Sequence, residues 1–218
     1  MGEINLLTKY PKSNRPIEKR HKLVDENIRK IARKFDFEYF DGDRNYGYGG
    51  YYYNSKYWTE TTKLFYKHYK MHDNFSILDI GCAKGYMLFD FLKINNKLKV
   101  TGLEISDYAI KNTKPEIRHL IDKGNAINLP YPDNSFDLII SINTLHNLEI
   151  NDFTKSLKEI HRVKKKYSYI TVDAWANNET KKRMLKWNLT ALTYMHINDW
   201  KKLFKDEGYD GDYYWFLP

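Results

Sequence analysis

The stretch Ile77-Leu78-Asp79-Ile80-Gly81-Cys82-Ala83-Lys84-Gly85-Tyr86 begins as an apolar strand, turns through small residues and then opens a helix. Small residues at such a turn let a ligand approach the backbone, and the start of a helix offers N–H groups with no partner in the helix. A glycine-rich turn alone would also suit a dinucleotide. Asp79, inside the strand end and ahead of the first glycine, argues against a pyrophosphate. A carboxylate there repels phosphate but can hold the ammonium of an amino-acid moiety.

Outward from this turn, strand-like and helical runs alternate. Strands are predicted at Ile77–Ile80, Lys99–Leu103, Leu138–Ile142, Tyr167–Val172 and Asp212–Leu217, with a weaker one near Arg118–Ile121. Helices are predicted at Tyr86–Ile94, Asp107–Asn112, Phe153–Val163, Glu179–Leu189 and Asn198–Glu207, the last capped by Gly208. Short buried strands separated by helices predict an α/β fold, a Rossmann-like and mostly parallel sheet with helices on both faces. In such sheets ligands lie beyond the carboxyl ends of the strands, where the strand order reverses.

Two further segments fall at those ends. Val100-Thr101-Gly102-Leu103-Glu104 closes in an acid that can accept both hydroxyls of a ribose, with Ile105 following it. Gly124-Asn125-Ala126-Ile127-Asn128-Leu129-Pro130 offers an amide at Asn125 for an adenine edge and an apolar surface for its ring. It leads into Tyr131-Pro132-Asp133-Asn134-Ser135-Phe136-Asp137.

Taken in this order, the glycine turn, the acid, the adenine loop and the Asn-Ser-Phe-Asp turn resemble the class I S-adenosylmethionine (SAM)-dependent methyltransferases over about residues 70–175. The resemblance implies SAM as cofactor and S-adenosylhomocysteine (SAH) as product. It implies that Asp79, Gly81, Cys82, Ala83 and Gly85 line the methionine end of SAM. Glu104 and Ile105 would serve the ribose side, and Asn125 and Ala126 the adenine. Ala83 stands where a middle glycine is common, and Asn125 where many members carry Asp. Ser141-Ile142-Asn143-Thr144-Leu145-His146-Asn147-Leu148 would lie beneath the methyl group, which makes His146 a candidate base and Asn143 a candidate for orienting the acceptor or SAM. One strand usual to this fold, short or missing, has no clear place in the sequence.

Residues 1–74 are expected to form a helical extension with a lid loop, and residues 75–218 the SAM-binding domain. Ile17, Val24, Ile28, Ile31 and Phe35 recur as on one face of a single helix. In Tyr39–Tyr53, glycines at 42, 47, 49 and 50 among six tyrosines exclude a regular helix. A short helix around Thr59–Tyr69 should follow. Tyr48, Tyr51, Tyr52 and Tyr53 suit a polar, ring-shaped acceptor such as a sugar, and this segment loosely resembles bacterial methyltransferases near sugar and surface-polysaccharide pathways. Trp175, after the fifth strand, is a further candidate for the acceptor pocket.

Bulk composition bounds the rest. The 218 residues carry a net charge of +8, of which +6 lies in residues 1–34, so the body is nearly neutral and nucleic acid is an unfavoured partner. With Cys82 as the sole cysteine, an intrachain disulfide and a thiolate-rich metal site are excluded, and the histidine spacing predicts no metal. The sequence has no long apolar run, which predicts no membrane span and a cytoplasmic protein. The expected reaction is methyl transfer to a small polar acceptor, at an oxygen of a sugar or related metabolite. The rival acceptors are RNA and protein, and a rival of another class is a SAM-binding module without catalysis. Oligomeric state is not legible.

Overall fold

The computed structural model describes residues 2–11 and 16–218. Helices α1 (Ile17–Leu23), α2 (Glu26–Ala32), α3 (Phe37–Phe40) and α4 (Ser55–His68) precede strand β1 (Ser76–Ile80). Then come α5 (Tyr86–Ile94), β2 (Lys99–Glu104), α6 (Asp107–Lys111), α7 (Pro115–Arg118), β3 (Ile121–Lys123) and β4 (Phe136–Ile142). A 3-10 turn at Leu145–Asn147 leads into α8 (Ile150–Val163), β5 (Lys164–Trp175), α9 (Asn178–Trp187), β6 (Met195–His196), α10 (Ile197–Asp206) and β7 (Asp212–Phe216).

The strands form one sheet in the order β3-β2-β1-β4-β5-β6, with β7 also against β5. Every pairing between these strands is parallel. The order reverses between β1 and β4, which puts the ligand crevice at their carboxyl ends. β5 is 12 residues long and serves two partners on one edge, β7 at Tyr169–Asp173 and β6 at Ala174–Trp175. The strand that sequence could not place is thus a two-residue β6.

Alternation along the strands divides the core. Leu78, Ile139, Ile170 and Val172 face one cluster, with Phe153, Leu157, Trp200 and Phe204 from α8 and α10. Ile77, Leu138, Ile140 and Tyr169 face the other, with Phe65, Met87, Leu88 and Phe91 from α4 and α5. A period of two on a sheet buried on both sides gives this pattern. The outer edge of β7 is covered by residues 2–4: Tyr213 N–H donates to Gly2 O and Ile4 N–H to Tyr213 O, each at 3.0 Å. Pairing the edge in this way removes an open row of donors and acceptors.

Two expectations need correction. The single helix through residues 17–35 is broken, because Val24 is extended and Asp25 caps a new helix by accepting from Ile28 N at 2.8 Å. The weak strand near Arg118–Ile121 is instead helix α7 up to Arg118, started by Pro115, with β3 beginning at Ile121.

Phe153 is fully buried, its ring centroid 4.9 Å from that of Trp200. Phe153→Ala is expected to lower unfolding free energy by roughly 3–5 kcal/mol, read by urea denaturation. A loss below about 1 kcal/mol would show that this layer does not hold the α8–α10 face together.

Candidate active site

The glycine turn is bound tightly to its neighbours. Gly81 N–H donates to Leu103 O at 2.7 Å, and Gly81 has φ +75°. A Cβ at Gly81 would lie 2.2 Å from Thr144 Cγ2, so no side chain fits there. Ala83 also adopts a positive φ, +51°, which turns its N–H toward Glu104 Oε2 at 2.8 Å. The other oxygen, Oε1, accepts from Ile105 N and Ser106 N at 2.9 Å each. Glu104 is buried, which raises its carboxyl pKa, while these three backbone donors favour its charged form.

Asp79 lies beside it with 5% of its surface exposed. Among the described residues its carboxylate has no hydrogen-bond or ion-pair partner. Burial first, and the charge of Glu104 second, push its pKa up to about 7. Two buried carboxyls thus lie close together, one held by backbone donors and the other by none among the described residues. Gly124 N–H donates to Glu104 O at 3.0 Å and brings the next loop alongside. In that loop Asn125 Oδ1 accepts from Ile127 N at 3.1 Å, Ala126 packs on the core, and Ile105 is 53% exposed at the rim.

At the end of β4, Asn143 has φ +53° and is locked to β5: its N–H donates to Thr171 Oγ1 at 3.0 Å, and its Oδ1 accepts from that hydroxyl at 2.9 Å. His146 is buried, and its Nδ1 accepts from Asp173 N at 3.0 Å. The neutral ring therefore carries its proton on Nε2. Burial lowers the pKa of His146, and the Asp173 carboxylate, with Oδ1 3.6 Å from Nδ1, partly offsets this. Trp200 Nε1 donates to Asp173 O at 2.9 Å, so the end of β5 is held from both sides.

A strap formed by residues 41–53 covers the glycine turn. Lys84 is 4% exposed and donates to Asp41 Oδ2 at 2.6 Å and to Tyr51 O at 2.7 Å. Tyr108 donates to the same Asp41 oxygen at 2.6 Å, and Tyr51 N to the other at 2.8 Å. A Cβ at Gly47 would lie 2.0 Å from Tyr39 O, so the strap packs backbone to backbone on the end of α3. Tyr48 and Tyr51 meet at 4.4 Å, and Tyr51 stacks on Tyr86 at 5.2 Å. Tyr51 feels the charge of Asp79, and Tyr48 that of Glu104.

The four tyrosines singled out by sequence therefore separate. Tyr48 and Tyr51 lie within electrostatic reach of the two acids. Tyr53 donates to Asp90 on α5 at 2.5 Å, and Tyr52 is 74% exposed. Trp175 lies at the end of β5, 6.0 Å from the Tyr194 ring. Sequence reasoning missed the Asp41–Lys84–Tyr108 cluster and Tyr39. A lysine inside a turn of small residues was the available signal for the first. Among the described residues no group of three or more His, Cys, Asp or Glu could hold a metal, and no helix is long and apolar enough to cross a membrane.

Comparison with known proteins agrees with this geometry. Residues 71–210 match the family model described as "Methyltransferase domain". The chain is 36% identical over 92 residues to an arginine-hydroxylase, NDUFAF5, of rat mitochondria, which covers 40% of this chain and 25% of that one. It is 31% identical over 126 residues to a tRNA (carboxymethyluridine(34)-5-O)-methyltransferase of Arabidopsis thaliana, covering 57% and 30%. The chain thus spans about a quarter to a third of the length of these curated relatives. In fold it is similar to the YcgJ protein of Bacillus subtilis, with a TM-score of 0.55 at 18% identity, covering 67% of this chain and 66% of that one. With the reversal between β1 and β4, the acid-bearing glycine turn and the matched family model together, the chain belongs to the class I SAM-dependent methyltransferases.

Proposed function

We propose that this methyltransferase acts in the cytoplasm on a small polar acceptor, methylating an oxygen of a sugar or related metabolite. The observation that carries the proposal is the Asp173 carboxylate, buried at the end of β5 with Oδ1 3.6 Å from His146 Nδ1. When bound, SAM supplies an electrophilic methyl on a sulfonium and leaves as SAH. A hydroxyl acceptor must then be aligned and relieved of its proton.

The site fits the cofactor. Asp79, buried with no partner among the described residues, is a socket for the SAM ammonium, and the small residues Gly81 and Ala83 leave room beside it. Glu104 faces the ribose, and Ile105, Asn125 and Ala126 flank the adenine. Asn125 Oδ1 already holds its own loop, so its amide serves the adenine with the remaining lone pair and the N–H donors. Asn143, locked to Thr171, shapes the floor.

Of the two residues expected to act on the acceptor, His146 has its Nδ1 lone pair engaged by the Asp173 amide. The proton-accepting role accordingly goes to the Asp173 carboxylate, and His146 positions it. Tyr48 and Tyr51 offer ring faces and hydroxyls from above, and Trp175 bounds the far side. A second reading, an RNA acceptor, has the identity to a tRNA methyltransferase and the basic residues before α3 in its favour. Steep loss of RNA binding with salt would support it.

By calorimetric titration, Asp79→Ala and Glu104→Ala should each lose SAM and SAH binding that the wild type shows. Undiminished binding in both would remove the assigned cofactor site. Asp173→Asn should keep SAM affinity within about twofold while kcat falls roughly 100-fold or more. Equal loss of SAM binding in that variant would make Asp173 structural.

A pH dependence of stability also follows. The folded pKa of Asp79, about 7, lies above its ordinary value of 3.8, so the folded apo protein binds the extra proton. Stability from this group falls as pH rises from about 4 to 7, and the full penalty remains above 7. Asp79→Asn should therefore stabilise the apo protein at pH 8 by on the order of 1 kcal/mol and much less at pH 4. Thermal unfolding at the two pH values reads this, and a uniform shift would refute it.

A further inference from the structure

We propose that the acceptor carries a phosphate group, bound in a cleft between α1, α9 and residues 43–45 by Arg20 and Arg44. This deepens the acceptor assignment above and rests on it. The cleft holds about 430 Å³ and is lined by Lys19, Arg20, Arg44, Asn45 and Trp187, with Leu23, Pro16 and Asp43 completing the wall. Three cations thus face one carboxylate. Asp43 is exposed, and its Oδ1 accepts from Asn45 N at 2.8 Å.

The Arg20 guanidinium carbon lies 4.6 Å above the Trp187 ring, which fixes the plane of the group. Among the described residues no carboxylate pairs with it, and its buried Nε has no hydrogen-bond partner. Burial and the neighbouring charges of Arg44 and Arg29 lower its pKa to about 10. A half-buried guanidinium gathered with like charges, with no carboxylate partner among the described residues, is costly, whereas a dianion placed between Arg20 and Arg44 would offset both the repulsion and the missing bond. Arg44 is held for this by donating to Gly47 O within the strap. Two guanidiniums with a lysine suit phosphate, which accepts several charge-assisted bonds at once.

Tyr39 relates the cleft to the end of β5. Burial raises the pKa of Tyr39, and its hydroxyl lies within electrostatic reach of both Arg20 and Asp173. Its ring meets Tyr48 at 5.3 Å. A phosphate on Arg20 would therefore set the remainder of a small acceptor past Tyr39 toward Asp173. The cleft's modest volume, about 430 Å³, favours a small phosphorylated molecule over a polymer.

The test is calorimetric titration with sodium pyrophosphate at fixed ionic strength, on the wild type, Arg20→Gln and Arg44→Gln, with SAM titrated into each. The expected result is saturable pyrophosphate binding by the wild type, weakened at least tenfold in both variants, which still bind SAM as the wild type does. Arg44→Gln keeps the test decisive if Arg20→Gln fails to fold. A wild type that binds SAM but not pyrophosphate, or variants that bind pyrophosphate undiminished, would overturn the phosphate site and leave the methyl-transfer reading standing. Acetate bound as tightly as pyrophosphate would overturn the choice of phosphate. A 12-nucleotide RNA bound far more tightly than pyrophosphate and released by salt would overturn the small acceptor. Absence of SAM binding by the folded wild type would strike the methyl-transfer reading itself and take the acceptor assignment with it.

Discussion

A lysine ammonium cannot be buried in a protein without an opposite charge or a full set of acceptors, because its desolvation costs several kcal/mol. Lys84 sits inside the glycine turn and is buried, so some other part of the chain must come down upon it. Asp41 and the Tyr51 carbonyl do so. From that contact the strap acquires its position, Tyr48 and Tyr51 come within electrostatic reach of the two acids, and α3 is drawn to α6 through Tyr108. The turn that serves the cofactor therefore also anchors the segment that roofs it.

The same pocket works against the stability of the empty protein. Asp79 and Glu104 are both buried, and each disfavours ionisation of the other or is disfavoured by its surroundings. Glu104 is relieved by three backbone donors, Asp79 by none that the described residues supply. This asymmetry distinguishes a carboxylate whose charge the fold itself stabilises from one whose charge it does not. It is the pattern expected where a site is built for binding rather than for folding.

The sheet was readable from sequence because its signals are local. Leu78 and Ile139 alternate with Ile77 and Leu138, and Gly81 and Gly85 mark a turn that only small residues can make. The corrections arose where a local signal competed with another: Asp25 caps a new helix in the middle of an apolar stripe, and Pro115 starts a helix where a strand was expected. Asp41 and Lys84 are 43 residues apart, and nothing local to either says that they meet. His146 was legible as a residue near the site. Which of its nitrogens is engaged depends on the Asp173 amide across the β4–β5 register, which no single segment encodes.

The segment that covers the glycine turn lies outside the part of the chain shared with the family. The family match begins at residue 71, whereas Arg20, Tyr39, Asp41, Tyr48 and Tyr51 all precede it. Its relatives include an arginine-hydroxylase and a tRNA methyltransferase, so the shared core does not by itself fix the chemistry or the acceptor. In this chain the preceding segment is tied to the core by Lys84 at the glycine turn and by Asp90 on α5. It is tied again at α9, where Lys186 pairs with Glu18 at 2.6 Å and Arg29 Nη1 donates to Asn188 O at 2.7 Å. These ties hold the preceding segment in fixed register with the core, and such rigidity is what aligning two reacting groups to within a fraction of an ångström requires. On the proposed reading, a change of acceptor would need new side chains on residues 17–53 and leave the sheet untouched.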